Sequence, residues 1–137
     1  IALPNDPSNE ARALLLLHNK GLIKLSDSKN LKVTPRDIIE NPKNLKFKEL
    51  EAAQLPRILP DVTAAFINTN YALEAGLNPL ADALLIEGKE SPYANLLAVR
   101  KRDKNKEVIQ KLSEILTGAK VKEFILDKYN GAIVPVF

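Results

Sequence analysis

Short apolar runs, each followed by residues that start a helix, leave few folds open to this chain. Ile1-Ala2-Leu3 reads as a strand. Behind it, Asp6-Pro7-Ser8 supplies a helix start in which Asp6 or Ser8 caps and Pro7 fits the first turn. Ala11, Leu14, Leu15 and His18 recur at helical spacing until Gly21 ends the run. Thr34-Pro35-Arg36-Asp37 is a second cap with an acid three residues on. It predicts a short helix through Ile38 and Ile39, ending before Pro42. Residues 45–50 alternate Leu45 and Phe47 with Lys46 and Lys48, the pattern of a half-buried strand. Residues 52–59 predict a short helix that Pro56 breaks or delays. Residues 62–67 form a nearly continuous apolar run, as in a strand covered on both faces, and residues 71–75 predict a helix stopped by Gly76. Residues 83–86 and 95–99 are further strand candidates. Asp103 is placed to cap a long helix carrying Val108, Ile109, Leu112, Ile115 and Leu116 up to Gly118; a last helix carries Val121, Phe124, Ile125 and Tyr129 and stops near Gly131. Strands alternating with helices predict an α/β fold, a mainly parallel sheet flanked by helices.

Composition narrows the function classes. The 137 residues, 45% hydrophobic and 27% charged, suit one globular domain, able to bury about two thirds of its unfolded surface. No apolar run approaches the roughly 18 residues of a membrane span. The absence of cysteine excludes a disulfide framework, thiolate catalysis and zinc fingers. His18, the single histidine, rules out a His-rich metal site and reads as a surface residue at a helix end. A net charge of +3 is too small to indicate nucleic acid without clustering, and the run Arg100-Lys101-Arg102-Asp103-Lys104 reads as a solvated loop. The five glycines stand apart, so no glycine-rich phosphate loop is present, and no catalytic constellation or cofactor site emerges. The chain has no methionine, so residue 1 is not a translation start and a piece of a longer chain is expected. The apolar tail Ile133-Val134-Pro135-Val136-Phe137 and the wide apolar faces of the last two helices either close this domain's core or lie against a neighbouring domain.

Ligands of parallel α/β sheets sit beyond the carboxyl ends of the strands, where helix N-termini point. The helix starting near Ser8 is such a place, and its free N–H groups suit an anion. Asn9 and Arg12, three apart, share one face of it. Arg12 can grip a carboxylate through two hydrogen bonds, and Asn9 offers a donor and an acceptor. From spacing alone, the simpler reading makes Arg12 a solvated surface arginine and Asn9 a cap. Asn68 follows the buried run 62–67 at another strand end, and is otherwise a turn asparagine. Asn95 begins an apolar strand candidate, where a buried amide needs partners from backbone or ligand.

Several stretches in order carry a resemblance that covers residues 1 to about 131. They are Ile1-Ala2-Leu3-Pro4-Asn5-Asp6-Pro7-Ser8-Asn9, Glu40-Asn41-Pro42-Lys43-Asn44-Leu45, Glu49-Leu50-Glu51-Ala52 with Gln54-Leu55-Pro56-Arg57, Ile67-Asn68-Thr69 with Tyr71-Ala72, and Lys89-Glu90-Ser91-Pro92-Tyr93 with Asn95-Leu96. The chain resembles the methionine-binding lipoprotein family, the NlpA group of substrate-binding components of bacterial methionine ABC importers. The resemblance implies one lobe of a type II periplasmic-binding-protein-like fold. Residues 1–99 would be the second ligand-binding lobe. Residues 100–137 would return through the hinge and pack C-terminal helices on an absent first lobe. It further implies that Arg12 pairs with the substrate carboxylate with Asn9 beside it, and that Asn68 and Asn95 hydrogen-bond the amino-acid head group. The expected function is non-catalytic capture of L-methionine, without cofactor or nucleic acid. The partners would be the permease and ATPase of a methionine ABC transporter, and the full-length protein would be lipid-anchored at a periplasmic or cell-surface location. Alternatives are another amino acid, a short methionine-containing peptide, or a basic nucleic-acid-binding module.

Overall fold

The structure is a computed structural model that describes residues 1–88, 91, 93 and 95–137. Of the stretches that carry the resemblance, Lys89, Glu90 and Pro92 lie outside the described residues. Backbone contacts divide the chain into two compact units, Ile1–Pro79 and Leu80–Phe137.

The first unit is built on β1 (Ala2–Pro4), whose residues are all buried. Parallel strands buried on both faces favour such uninterrupted apolar runs. β1 pairs in parallel with β4 (Lys48–Leu50), and an isolated parallel bridge joins Ala2 to Ala65 on its other side. Ala2 N–H donates to Ala64 O and Phe66 N–H donates to Ala2 O, both at 2.9 Å, so β1 lies between two parallel neighbours. Residues 62–67, expected to form a strand covered on both faces, thus meet β1 only through a single bridge at Ala65 and are half-buried or exposed.

From β1 the chain enters α1 (Pro7–Asn19). Asp6 is the N-cap, with extended backbone angles and a side chain that accepts the N–H of Asn9, and Pro7 opens the helix. Leu14 and Leu17 form its deepest contacts, with β1's Leu3, Val33 and α2's Leu55 among the other fully buried side chains. Gly21, at φ 69°, lets the chain turn out of the helix. His18 is not a plain surface residue: it is half-buried, and its Nδ1 accepts the N–H of Leu25 at 3.2 Å, fastening β2 (Lys24–Leu25) to α1.

Two expectations in this unit give way to longer-range pairing. Thr34 and Asp37 do bound a helical turn. Thr34 N–H and Oγ1 donate to Asp37 Oδ2 at 2.7 and 3.0 Å, which holds that carboxyl below its ordinary range, the backbone bond contributing most. The turn ends after Pro35–Asp37, and Ile38–Glu40 is β3, antiparallel to β2. The β-branched Ile38 and Ile39 favour the extended form once a partner strand is there to pair with. Residues 45–50 keep the expected alternation, but only 48–50 are paired as a strand. After β4 the chain makes a 3-10 turn (Ala52–Gln54), α2 (Leu55–Ile58) with Pro56 in its first turn, and a second 3-10 turn (Leu59–Asp61). This is the break expected from Pro56. α3 (Thr69–Glu74) follows, and the chain leaves it through Gly76, φ 75°.

α4 (Pro79–Asp82) leads into the second unit, which carries α5 (Glu107–Leu116) and α6 (Ala119–Tyr129). α6 closes with Asn130 and Gly131 in the left-handed region. Two expectations fail here. Residues 83–86 and 95–99 form no strand, because the backbone hydrogen bonds of a neighbouring strand do not reach them among the described residues. Asp103 does not cap α5. It ends a 3-10 turn (Lys101–Asp103), its carboxylate bonds Lys106 Nζ at 2.7 Å, and α5 starts after Lys106. Among the described residues, no helix is long and apolar enough to cross a membrane.

Candidate functional site

The parallel strands β1 and β4 end at Pro4 and Leu50, the segment bridged to β1 at Ala65 runs on to Ile67, and the residues that follow gather at one edge. Two of the expected site residues meet there. Asn68, the N-cap of α3, donates from Nδ2 to Asn9 Oδ1 at 2.7 Å, although they are 59 positions apart. Asn9 is bound in turn by Asp6, whose Oδ1 accepts the backbone N–H of Asn9 at 3.0 Å. The side-chain Nδ2 of Asn9 donates to Asp6 Oδ1 and Oδ2 at 3.1 and 3.0 Å. A carboxylate and two amides therefore form one continuous chain, Asp6–Asn9–Asn68, joining two strand ends.

The far end of that chain is unfinished. Asn68 Oδ1 is buried and has no hydrogen-bond partner among the described residues. A buried amide oxygen left without a donor costs roughly 1–3 kcal/mol, and native structures rarely tolerate one without a use for it.

Charge at this edge differs from the sequence expectation. The start of α1 was expected to offer its N–H groups to an anion. Instead the protein's own Asp6 takes the Asn9 N–H, which suits the positive end of the helix dipole. Glu10 is buried, with 7% of its surface exposed. Desolvation first, and then the charges of Glu49 and Asp6, raise its carboxyl above the ordinary range. The edge near the first turn of α1 is thus rich in negative charge. Arg12, half-buried, stands on α1 one turn beyond Asn9, as its spacing implied. Asn95 belongs to the second unit and is exposed, as are Leu96 and Leu97. Asp6 and Glu10 were not singled out as site residues from the sequence. The Asp-x-x-Asn spacing at the helix start was the available signal for the first; nothing local marks a buried glutamate.

Comparison with known proteins gives the family. The profile of the NlpA lipoprotein family matches residues 1–137. The chain belongs to the NlpA lipoprotein family. Within that family it is 48% identical over 136 residues to the D-methionine-binding lipoprotein MetQ of Yersinia pestis, covering 98% of this chain and 50% of the relative. It is 47% identical to the protein of the same name from Escherichia coli K12, again covering 98% of this chain and 50% of that protein. Among solved structures it is similar to a nutrient binding protein from Burkholderia cenocepacia bound to methionine: TM-score 0.88, 53% identity, 99% of this chain and 58% of that one. A periplasmic substrate-binding protein of an ABC transporter from Coxiella burnetii matches with TM-score 0.86 and 51% identity, over 98% of this chain and 56% of the other. The NlpA-family chain therefore has the α/β fold of these substrate-binding proteins and spans about half the length of the curated relatives it matches.

Proposed function

We propose that this chain is the second ligand-binding lobe of a two-lobed protein that captures methionine for uptake by an ABC transporter. The observation that carries the reading is the likeness, at TM-score 0.88 and 53% identity, to a binding protein whose structure holds methionine. Residues 1–99 would form the lobe. Residues 100–137 would return through the hinge and lay their apolar helices on the first lobe. The protein would act by closure around its ligand, without catalysis, delivering it to a permease and ATPase. The family's lipoprotein character supports a lipid anchor in the full-length protein and a periplasmic or cell-surface location.

In this reading Arg12 pairs with the ligand carboxylate, and Asn9, Asn68 and Asn95 serve the head group. A charged head group enclosed by closure must have every donor and acceptor matched. Arg12→Ala in the two-lobe protein should weaken methionine binding by about 3–5 kcal/mol, the range for leaving one partner of a buried charge pair alone. Calorimetry that finds unchanged affinity would remove Arg12 from the site. The chain by itself lacks half of the enclosure and should bind methionine weakly or not at all; submicromolar binding would overturn the split site. L-methionine is the expected ligand, whereas the Yersinia and Escherichia relatives are named for D-methionine. Competition between both enantiomers, other amino acids and methionine-containing peptides decides among them.

A further inference from the structure

We propose that Asp6 is a positioning residue that fixes the hydrogen-bond polarity of the site, so that Asn68 presents an acceptor to a primary ammonium group of the ligand. The inference rests on the ligand site proposed above and adds to it a residue that touches no ligand.

The reasoning is directional. An ionised carboxylate only accepts hydrogen bonds, whereas an asparagine amide has one face that donates and one that accepts. Asp6 brings both of its oxygens to Asn9 Nδ2, at 3.1 and 3.0 Å. The Asn9 amide cannot be turned over, because its oxygen would then face two carboxylate oxygens. Its Oδ1 must point away from Asp6, and at 2.7 Å it accepts from Asn68 Nδ2. That fixes the second amide in turn, for the opposite orientation would set two oxygens against each other. The group left over at the end of the relay is Asn68 Oδ1, buried and without a partner. A carboxylate at one end therefore dictates an acceptor at the other.

Two further features fit a cationic donor. The same Asp6 carboxylate binds the Asn9 backbone N–H at 3.0 Å, so the main chain and the amide of Asn9 are held by one group and the relay has little freedom to turn. Glu10's carboxyl is raised by burial first and then by the charges of Glu49 and Asp6, so three acidic groups gather near this corner. Such a corner favours an ammonium and disfavours a carboxylate, leaving the latter to Arg12.

Calorimetry on the two-lobe protein tests this with methionine and with 4-(methylsulfanyl)butanoate, the same molecule without its amine. Asp6→Asn is the first variant. Asparagine caps a helix as well as aspartate does, so α1 is kept, but its amide can donate as well as accept, and Asn9 becomes free to turn. Methionine affinity should fall roughly 10- to 100-fold and that of the amine-free ligand by less than about threefold. Equal losses for both ligands would reduce Asp6 to a helix cap and overturn the inference. Asn68→Asp is the second variant and leaves the Asp6 cap of α1 in place. It cannot donate to Asn9 Oδ1, so it should also lose methionine affinity at least about tenfold, despite offering the ammonium a full negative charge. Retained or tighter binding would overturn the relay. Asn68→Ala and Arg12→Ala separate the two failures. If these lower methionine affinity and Asp6→Asn does not, the inference alone falls; if they leave it unchanged, the proposed site falls and the inference with it.

Discussion

The two units of this chain are alike in apolar content and opposite in what they do with it. Among the described residues, the largest fully buried side chains, Leu3, Leu14, Leu17, Leu55, Val33 and Pro4, all belong to the unit Ile1–Pro79. In the unit Leu80–Phe137 the apolar side chains stay in contact with solvent: Val108 is 68% exposed, Ile115 58% and Leu84 89%. None of the residues of α5 or α6 is buried. Helices of ten or eleven residues owe most of their stability to the burial of an apolar face, and α5 and α6 bury no residue, whereas α1 buries six. A sequence pattern can thus fix a helix and its apolar stripe without supplying what the stripe packs on. The proposal that these helices lie on a further lobe would account for it.

The largest effect that could break the contrast is a cavity. Leu14→Ala should destabilise the chain by about 2–5 kcal/mol, the cost of emptying a fully buried leucine site. Leu112→Ala, at a position 40% exposed, should change stability by less than about 0.5 kcal/mol in this chain. In the proposed two-lobe protein the same Leu112→Ala should approach the core range. Urea denaturation of these three variants and their two parents decides, and equal losses at both positions in the chain alone would mean that the second unit has a core of its own. Amide exchange sharpens the point: α1 amides should be protected to the global stability, α5 amides far less.

How much of this was legible in the sequence follows the same division. The β1–α1 corner was legible because its signals are local: a short apolar run, Asp6 and Pro7 at the helix start, and leucines at helical spacing. The strands expected at residues 83–86 and 95–99 did not form, and Ile38–Glu40 became a strand where a helix was expected. In each case the outcome depended on a partner segment that spacing alone does not reveal. The amides Asn9 and Asn68 were legible as candidates because each follows a strand end. Their meeting, 59 positions apart, and the hold of Asp6 on Asn9 are facts of packing. Glu10 was invisible for the opposite reason: a glutamate in a first helical turn reads as a favourable surface charge until the fold buries it.

Glu10 also gives the first unit a pH signature. Its carboxyl is raised in the folded state, so the folded chain binds the proton more tightly than the unfolded chain does. The resulting stabilisation is present below the unfolded carboxylate range. It is lost as pH rises through that range toward the higher folded value. Glu10→Gln should therefore increase stability at neutral pH and flatten the dependence of stability on pH across the mildly acidic range. Denaturation midpoints for both proteins measured from acid to neutral pH check this; an unchanged slope in the variant would mean that Glu10 is relieved by solvent. Asp37 acts in the reverse sense. Its carboxyl is lowered, so its contribution is present above the unfolded range and lost as pH falls through the folded value.

The smallest effects should come from the surface ion pairs, and here the two units should agree. Lys24 and Glu40 pair across β2 and β3 with side chains 55% and 60% exposed. Asp103 and Lys106 pair at 2.7 Å with a lysine 62% exposed. Water screens both pairs, and each must restrain long side chains, so Glu40→Gln and Asp103→Asn should each cost about 0.2–1 kcal/mol. Raising the salt concentration should erase most of either difference. If both losses are small and similar, charge contributes alike in the two units and buried apolar surface alone separates them. A loss well above that range for Asp103→Asn would show instead that the second unit is held by its charges, and would remove the reason for expecting its helices to require a partner.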